Sequence, residues 1–136
     1  EIASCLVGSE MCIRDRLDRI DLHLTVAREA TALNPEPQPG NDSAAAATRV
    51  AGARELQRER QGSANAFLDL PGLRRHCKLS TTDERWLEAA CERLGLSLRA
   101  AHRLLKVART LADLEQAARI SREHLAEALH YRPSAD

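Results

Sequence analysis

Arginine is the residue type whose placement in this chain could do chemistry. Arg19 stands between two carboxylates in Leu17-Asp18-Arg19-Ile20-Asp21. Arg99 follows Ser97-Leu98 at the head of a long apolar-periodic run, and Arg103 lies one turn further along the same face. A guanidinium stays charged, presents its donors as a planar fork and binds phosphate oxygens in pairs. Placed where phosphoryl transfer spreads negative charge over equatorial oxygens, one such group is worth roughly 10³ to 10⁵ in rate. The plainer alternative for Arg19 is a surface arginine paired with Asp18 or Asp21. For Arg99 it is a solvated side chain, in a first helical turn where a cation is slightly disfavoured.

Other chemistries find little footing. The four cysteines, Cys5, Cys12, Cys77 and Cys91, include no C-x-x-C pair and no zinc-type spacing, so no metal is assigned. Cys91 falls on the apolar face of a predicted helix and reads as a small hydrophobe. His23, His76, His102, His124 and His130 form no H-E-x-x-H and read as surface or capping groups. No Ser/His/Asp order is defensible, and no glycine-rich phosphate loop occurs. Two basic clusters, Arg49/Arg54/Arg58/Arg60 and Arg74/Arg75/Lys78, could touch DNA phosphates. Without interleaved aromatics they read better as solvated faces.

Lys plus Arg and Asp plus Glu both total 20, so no global field steers the chain toward nucleic acid or membrane. Phe67, Trp86 and Tyr131 are the only aromatics, which leaves a core of Leu, Ala, Val and Ile and favours packed helices. No apolar run approaches the ~20 residues of a membrane span, and the expected location is the cytoplasm.

The elements that would position the arginines follow from periodicity. Residues 1–16 fit nothing downstream; SCLVGSEMCIRDR resembles translated sequencing-adapter readthrough and is expected to be non-native or disordered. Ile20 to Val26 alternates apolar and polar residues and predicts a half-buried strand, which without its sheet neighbours is expected to pair opportunistically or fray. Asn34 to Ser43, with three alternating prolines, is a linker. Helices are predicted over 44–61, ended by Gly62, and briefly over 65–70 before Pro71-Gly72. The next is capped by Ser80 with Asp83 in capping-box spacing, buries Trp86, Leu87, Ala90, Cys91 and Leu94, and stops at Gly95. A central helix over 98–117 begins after Ser97, with Leu98, Ala101, Leu105, Ala108 and Ala112 as its stripe, widened by Leu104, Val107, Leu111 and Leu114. A last helix after Ser121 turns Leu125, Ala128 and Leu129 inward and closes at Pro133. The expected fold is mainly α, a small four- to five-helix bundle preceded by a remnant β-strand and a Pro-rich linker.

In order and spacing, Leu17 to Asp21, Leu94 to Arg103 (LGLSLRAAHR) and Leu104 to Leu114 (LLKVARTLADL) resemble the C-terminal end of magnesium-chelatase-like AAA+ ATPases of the ComM/YifB type. The likeness covers about 17–136 and is densest from Leu87 to Arg132. It implies an organisation of 17–33 as the end of an AAA+ core, 34–47 as linker and 48–136 as a helical lid. It further implies that Arg19 is an arginine finger acting in trans on a neighbouring subunit's γ-phosphate. Arg99 becomes a sensor arginine for ATP, with Arg103 a weaker candidate. The whole protein would be a homo-oligomer, a hexameric ring using ATP and Mg²⁺ to remodel DNA during competence or recombination, with no membrane partner. Without the phosphate-binding loop, this chain alone is expected neither to bind those cofactors nor to hydrolyse ATP.

The rival reading is a stand-alone helical module that binds DNA or protein. Residues 106–131 can be read as a helix-turn-helix turning at Ala117 to Ile120, with Arg122, His124 and Arg132 as a base-reading face.

Overall fold

The computed structural model describes residues 20–26 and 42–132. Residues 1–16, Arg19, the proline run of the linker and Pro133 lie outside them. The described residues form five α-helices: α1 (Ser43–Gln61), α2 (Leu70–His76), α3 (Thr81–Arg93), α4 (Leu98–Leu114) and α5 (Arg122–His130). A 3-10 turn, Asn65–Phe67, lies between α1 and α2. The expected helical bundle is therefore what the chain builds.

Local chemistry sets most boundaries. Asp42 accepts the Ala44 N–H at 3.1 Å and starts α1, and Gly62, at φ 75°, ends it. The Ser80 hydroxyl accepts the Asp83 N–H at 3.1 Å and donates to the Asp83 carboxylate at 2.7 Å. At the end of α3, Gly95 adopts φ 60°; its N–H bonds Glu92 O, and the Leu96 N–H bonds Cys91 O. This is a Schellman closure, which favours glycine because a Cβ is strained there. Ser97 then caps α4 by accepting the Ala100 N–H at 3.2 Å.

One helix departs from expectation. Pro71-Gly72 is no break: it lies in the first turn of α2, and the Asp69 carboxylate accepts the Gly72 N–H at 2.8 Å. Proline suits a first turn because its missing N–H has no intrahelical partner to lose.

Helix α4 is central and packs against α5, α1, the 3-10 turn and α2. Its buried apolar line is Ala100, Leu104, Ala108 and Ala112, a strict four-residue ridge. That ridge is rotated from the expected heptad stripe. Ala101 and Leu105 are half-buried, and Leu98, at the first helical position, is 73% exposed. Against the ridge pack Leu73 and Cys77 of α2, Leu87 of α3, and Leu125 and Ala128 of α5, joined by Leu68 and Ile120. Each fully buried Leu contributes roughly 1.5–3 kcal/mol relative to exposure. The expected face of α3 is buried at Leu87 and Ala90 and half-buried at Trp86 and Cys91, while Leu94 is exposed.

The strand expected over Ile20 to Val26 does not form. The segment has no ladder partner, and Ile20, Leu22, Leu24 and Val26 are all exposed. Alternation supplies a face, but a strand needs a neighbouring edge, and the described residues contain none. The segment is held by helices instead: the His23 N–H donates to Tyr131 O at 2.7 Å, and Asp21 pairs with Arg103 of α4.

Candidate functional site

A groove of about 750 Å³ runs along one side of α4. Among the described residues its cationic wall is Arg99, Arg103 and Lys106 of α4, which fall with His102 at three- and four-residue spacing on one helical face. The apolar wall includes Leu68, Leu70 and Leu73, while Leu22 and Leu24 of the extended segment close one side. The volume is that of an ordinary small-molecule site.

The two expected sensor arginines thus share one groove, in different states. Arg99 is exposed, in the first turn after the Ser97 cap, and has no hydrogen-bond or ion-pair partner among the described residues. The Arg103 side chain is only 19% exposed and is paired with Asp21. Lys106 donates to Ala66 O at 2.9 Å. Arg19 lies outside the described residues. Its near neighbour Asp21 nevertheless lines the groove, so the end of the Leu17 to Asp21 motif meets the face that carries Arg99.

A second arginine cluster was not foreseen. Asp113, 1% exposed near the C-terminal end of α4, accepts both terminal nitrogens of Arg60, at 2.6 and 2.8 Å. It also accepts the Asn65 amide at 2.8 Å and Arg109 Nε at 3.1 Å. Arg109, 3% exposed, spends its other donors on Ala117 O and Ala118 O. Buried Asn65 bonds Thr110 through its side chain, and its backbone N–H bonds the Gln57 side chain. Burial alone would push the Asp113 carboxyl up. Hydrogen bonds from Arg60 and Asn65, with the charges of Arg109 and Arg60, outweigh it and hold the group below the ordinary carboxylate range. Arg60, expected in a solvated basic face, is instead the clasp that fixes the end of α1. The signal available in sequence was the i, i+4 pair Arg109 and Asp113 inside an otherwise apolar run.

Among the described histidines and cysteines, His124 and Cys77 take structural places. His124 is buried, and its Nδ1 accepts the Ser121 N–H at 2.9 Å. Nε2 then carries the proton and donates to Glu115 at 3.0 Å. It is a cap, one of the two readings given to the histidines. Cys77 is buried, and desolvation pushes its thiol up to about 11. Among the described residues no group of three or more His, Cys, Asp or Glu side chains is placed to hold a metal ion. No helix there is long and apolar enough to cross a membrane.

A capped helical bundle, with one helix that presents a cationic face along a groove, defines the class. Residues 40–132 match the family described as magnesium chelatase, subunit ChlI C-terminal, and the chain belongs to that family. It is 49% identical over 117 residues to the uncharacterized protein YifB of Escherichia coli K12, and 46% to YifB of Salmonella typhimurium LT2. It is 45% identical over the same length to the competence protein ComM of Haemophilus influenzae Rd. Each match covers 85% of this chain and 23% of the relative, so the chain spans under a quarter of those proteins.

Proposed function

We propose that the chain is the C-terminal helical lid of a ring-forming AAA+ ATPase, and that Arg99 makes lid position depend on the nucleotide bound elsewhere in that protein. The carrying observation is that Arg99 lines the α4 groove with no partner among the described residues, while Arg60 and Arg109 each make several hydrogen bonds within the bundle. A guanidinium with no partner can meet a phosphate without first breaking a native pair. In this reading ATP and Mg²⁺ are held by the preceding part of a longer protein. Arg19 reaches the γ-phosphate of a neighbouring protomer in a hexamer, and the work done is on DNA.

The test is in the full-length protein. Arg19→Ala should cut ATP turnover strongly while nucleotide binding persists; unchanged turnover rejects its role. Arg99→Ala should abolish the difference in lid protease protection between ATP and ADP, and a retained difference rejects the sensor assignment. The chain alone should show no ATP hydrolysis, and turnover by it contradicts the reading.

The helix-turn-helix alternative gains no support, because its base-reading residues are already engaged. Arg122 bonds Asp83 at 3.1 Å and lies over the Trp86 ring, His124 is a buried cap, and Arg132 bonds Ala100 O at 3.4 Å. The exposed face of α5 also carries Glu123 and Glu127, the wrong sign for a phosphate backbone.

A further inference from the structure

We propose that Arg103 is a positioning residue rather than a nucleotide ligand: its ion pair with Asp21 straps the segment that follows Arg19 to the helix that carries Arg99. The inference rests on the lid reading above and assigns the second groove arginine a different task from the first.

Three observations carry it. Asp21 and Arg103 are 82 positions apart in sequence, and the chain between them passes through α1, α2 and α3. The strap has a second attachment two residues on, where the His23 N–H donates to Tyr131 O just past α5, beside the start of α4. Leu22 and Leu24 lie along the same groove as Val107, Leu111 and Leu114 of α4. Residues 21–24 are therefore held at a charge pair, a backbone hydrogen bond and an apolar wall, all belonging to the helical bundle. A segment so held must follow α4 when α4 moves. One residue, Ile20, separates Asp21 from Arg19, too short a span to absorb a large displacement, since each residue reaches at most ~3.6 Å. Movement of the lid by nucleotide at Arg99 would thus shift the arginine that the same chain offers to its neighbour. Arg103 is already engaged with Asp21, whereas Arg99 has no partner among the described residues and is the groove arginine open to phosphate.

Two measurements test this, and they fail independently. In the chain as given, the His23 amide should exchange with solvent about two- to fivefold faster in Asp21→Asn and in Arg103→Gln, as expected for loss of a partly exposed pair. The charge-swapped double variant, Asp21→Arg with Arg103→Asp, should return exchange toward the parent rate. Unchanged exchange in both single variants overturns the strap, whatever the nucleotide reading. In the full-length ATPase, Arg103→Gln should lower kcat about tenfold with the KM for ATP within about twofold of the parent, because only transition-state positioning is lost. The swapped double variant should recover kcat. A large rise in KM with no recovery would make Arg103 a nucleotide ligand and overturn the proposal. A full-length protein whose nucleotide response is indifferent to Arg99→Ala would instead sink the lid reading and the transmission with it, while the exchange result still decides whether the strap exists.

Discussion

Helix α4 carries buried and exposed arginines, and the two kinds have opposite fates. Arg109 is buried against Asp113, shares that carboxylate with Arg60 and Asn65, and has its remaining donors on backbone carbonyls. Arg99, on the groove side, is exposed and has no partner among the described residues. The contrast shows that arginine content alone says nothing about function. An arginine whose donors are all used holds a fold together; one placed in a groove with its fork unused is available to a ligand. Arg103 stands between these extremes, partly buried and paired across 82 positions of sequence.

The contrast breaks most visibly at Asp113. Removing that carboxylate by Asp113→Ala leaves Arg109 buried without a counter-charge, and should lower unfolding free energy by about 3–5 kcal/mol in a denaturant titration. Leu125→Ala, which empties a fully buried position of α5 against the α4 ridge, should cost about 2–5 kcal/mol by the same assay. If Asp113→Ala cost no more than a surface substitution, the cluster would not be the structural partner of the groove face.

Acid should sharpen the same distinction. The folded-state value of Asp113 lies below the ordinary 3.8, so its contribution is fully present above that value. It is lost as pH falls through the lower folded value, because protonation then favours the unfolded chain. Thermal midpoints measured from pH 6 downward should fall more steeply in the parent than in Asp113→Asn; parallel curves would remove Asp113 from the acid response. At the small end, Arg99→Ala should change stability by no more than about 0.5 kcal/mol, as for an exposed side chain that makes no cap or pair among the described residues. A larger loss would mean that Arg99 has a structural role.

Much of this fold was legible because caps and stops are local chemistry. Ser80 with Asp83, Gly95 with Ser97, and Gly62 each settle a boundary through atoms within three or four residues. Pro71 misled because proline ends a helix in its interior but begins one in its first turn, and the deciding atom is the Asp69 carboxylate two residues earlier. The Ile20 to Val26 alternation reports a face and cannot report whether a partner strand exists, and among the described residues it has none. Of the groove's cationic face, the sequence showed Arg99 and Arg103 one turn apart; Lys106 joins them only in the folded chain. The pairing of Arg103 with Asp21, and of Arg60 with Asp113, joins residues 82 and 53 positions apart, and no local pattern marks either. Leu98 shows the same limit: it fits the apolar stripe, yet the ridge that packs begins at Ala100.

The account turns on whether Arg99 meets phosphate. The most direct measurement is ATP affinity of the full-length protein, parent against Arg99→Ala, with the thermal midpoint of the lid recorded in both. Loss of one charge-assisted contact should weaken ATP binding about tenfold or more while the midpoint stays where it was. Equal affinity in the two proteins, with both folded, would contradict it.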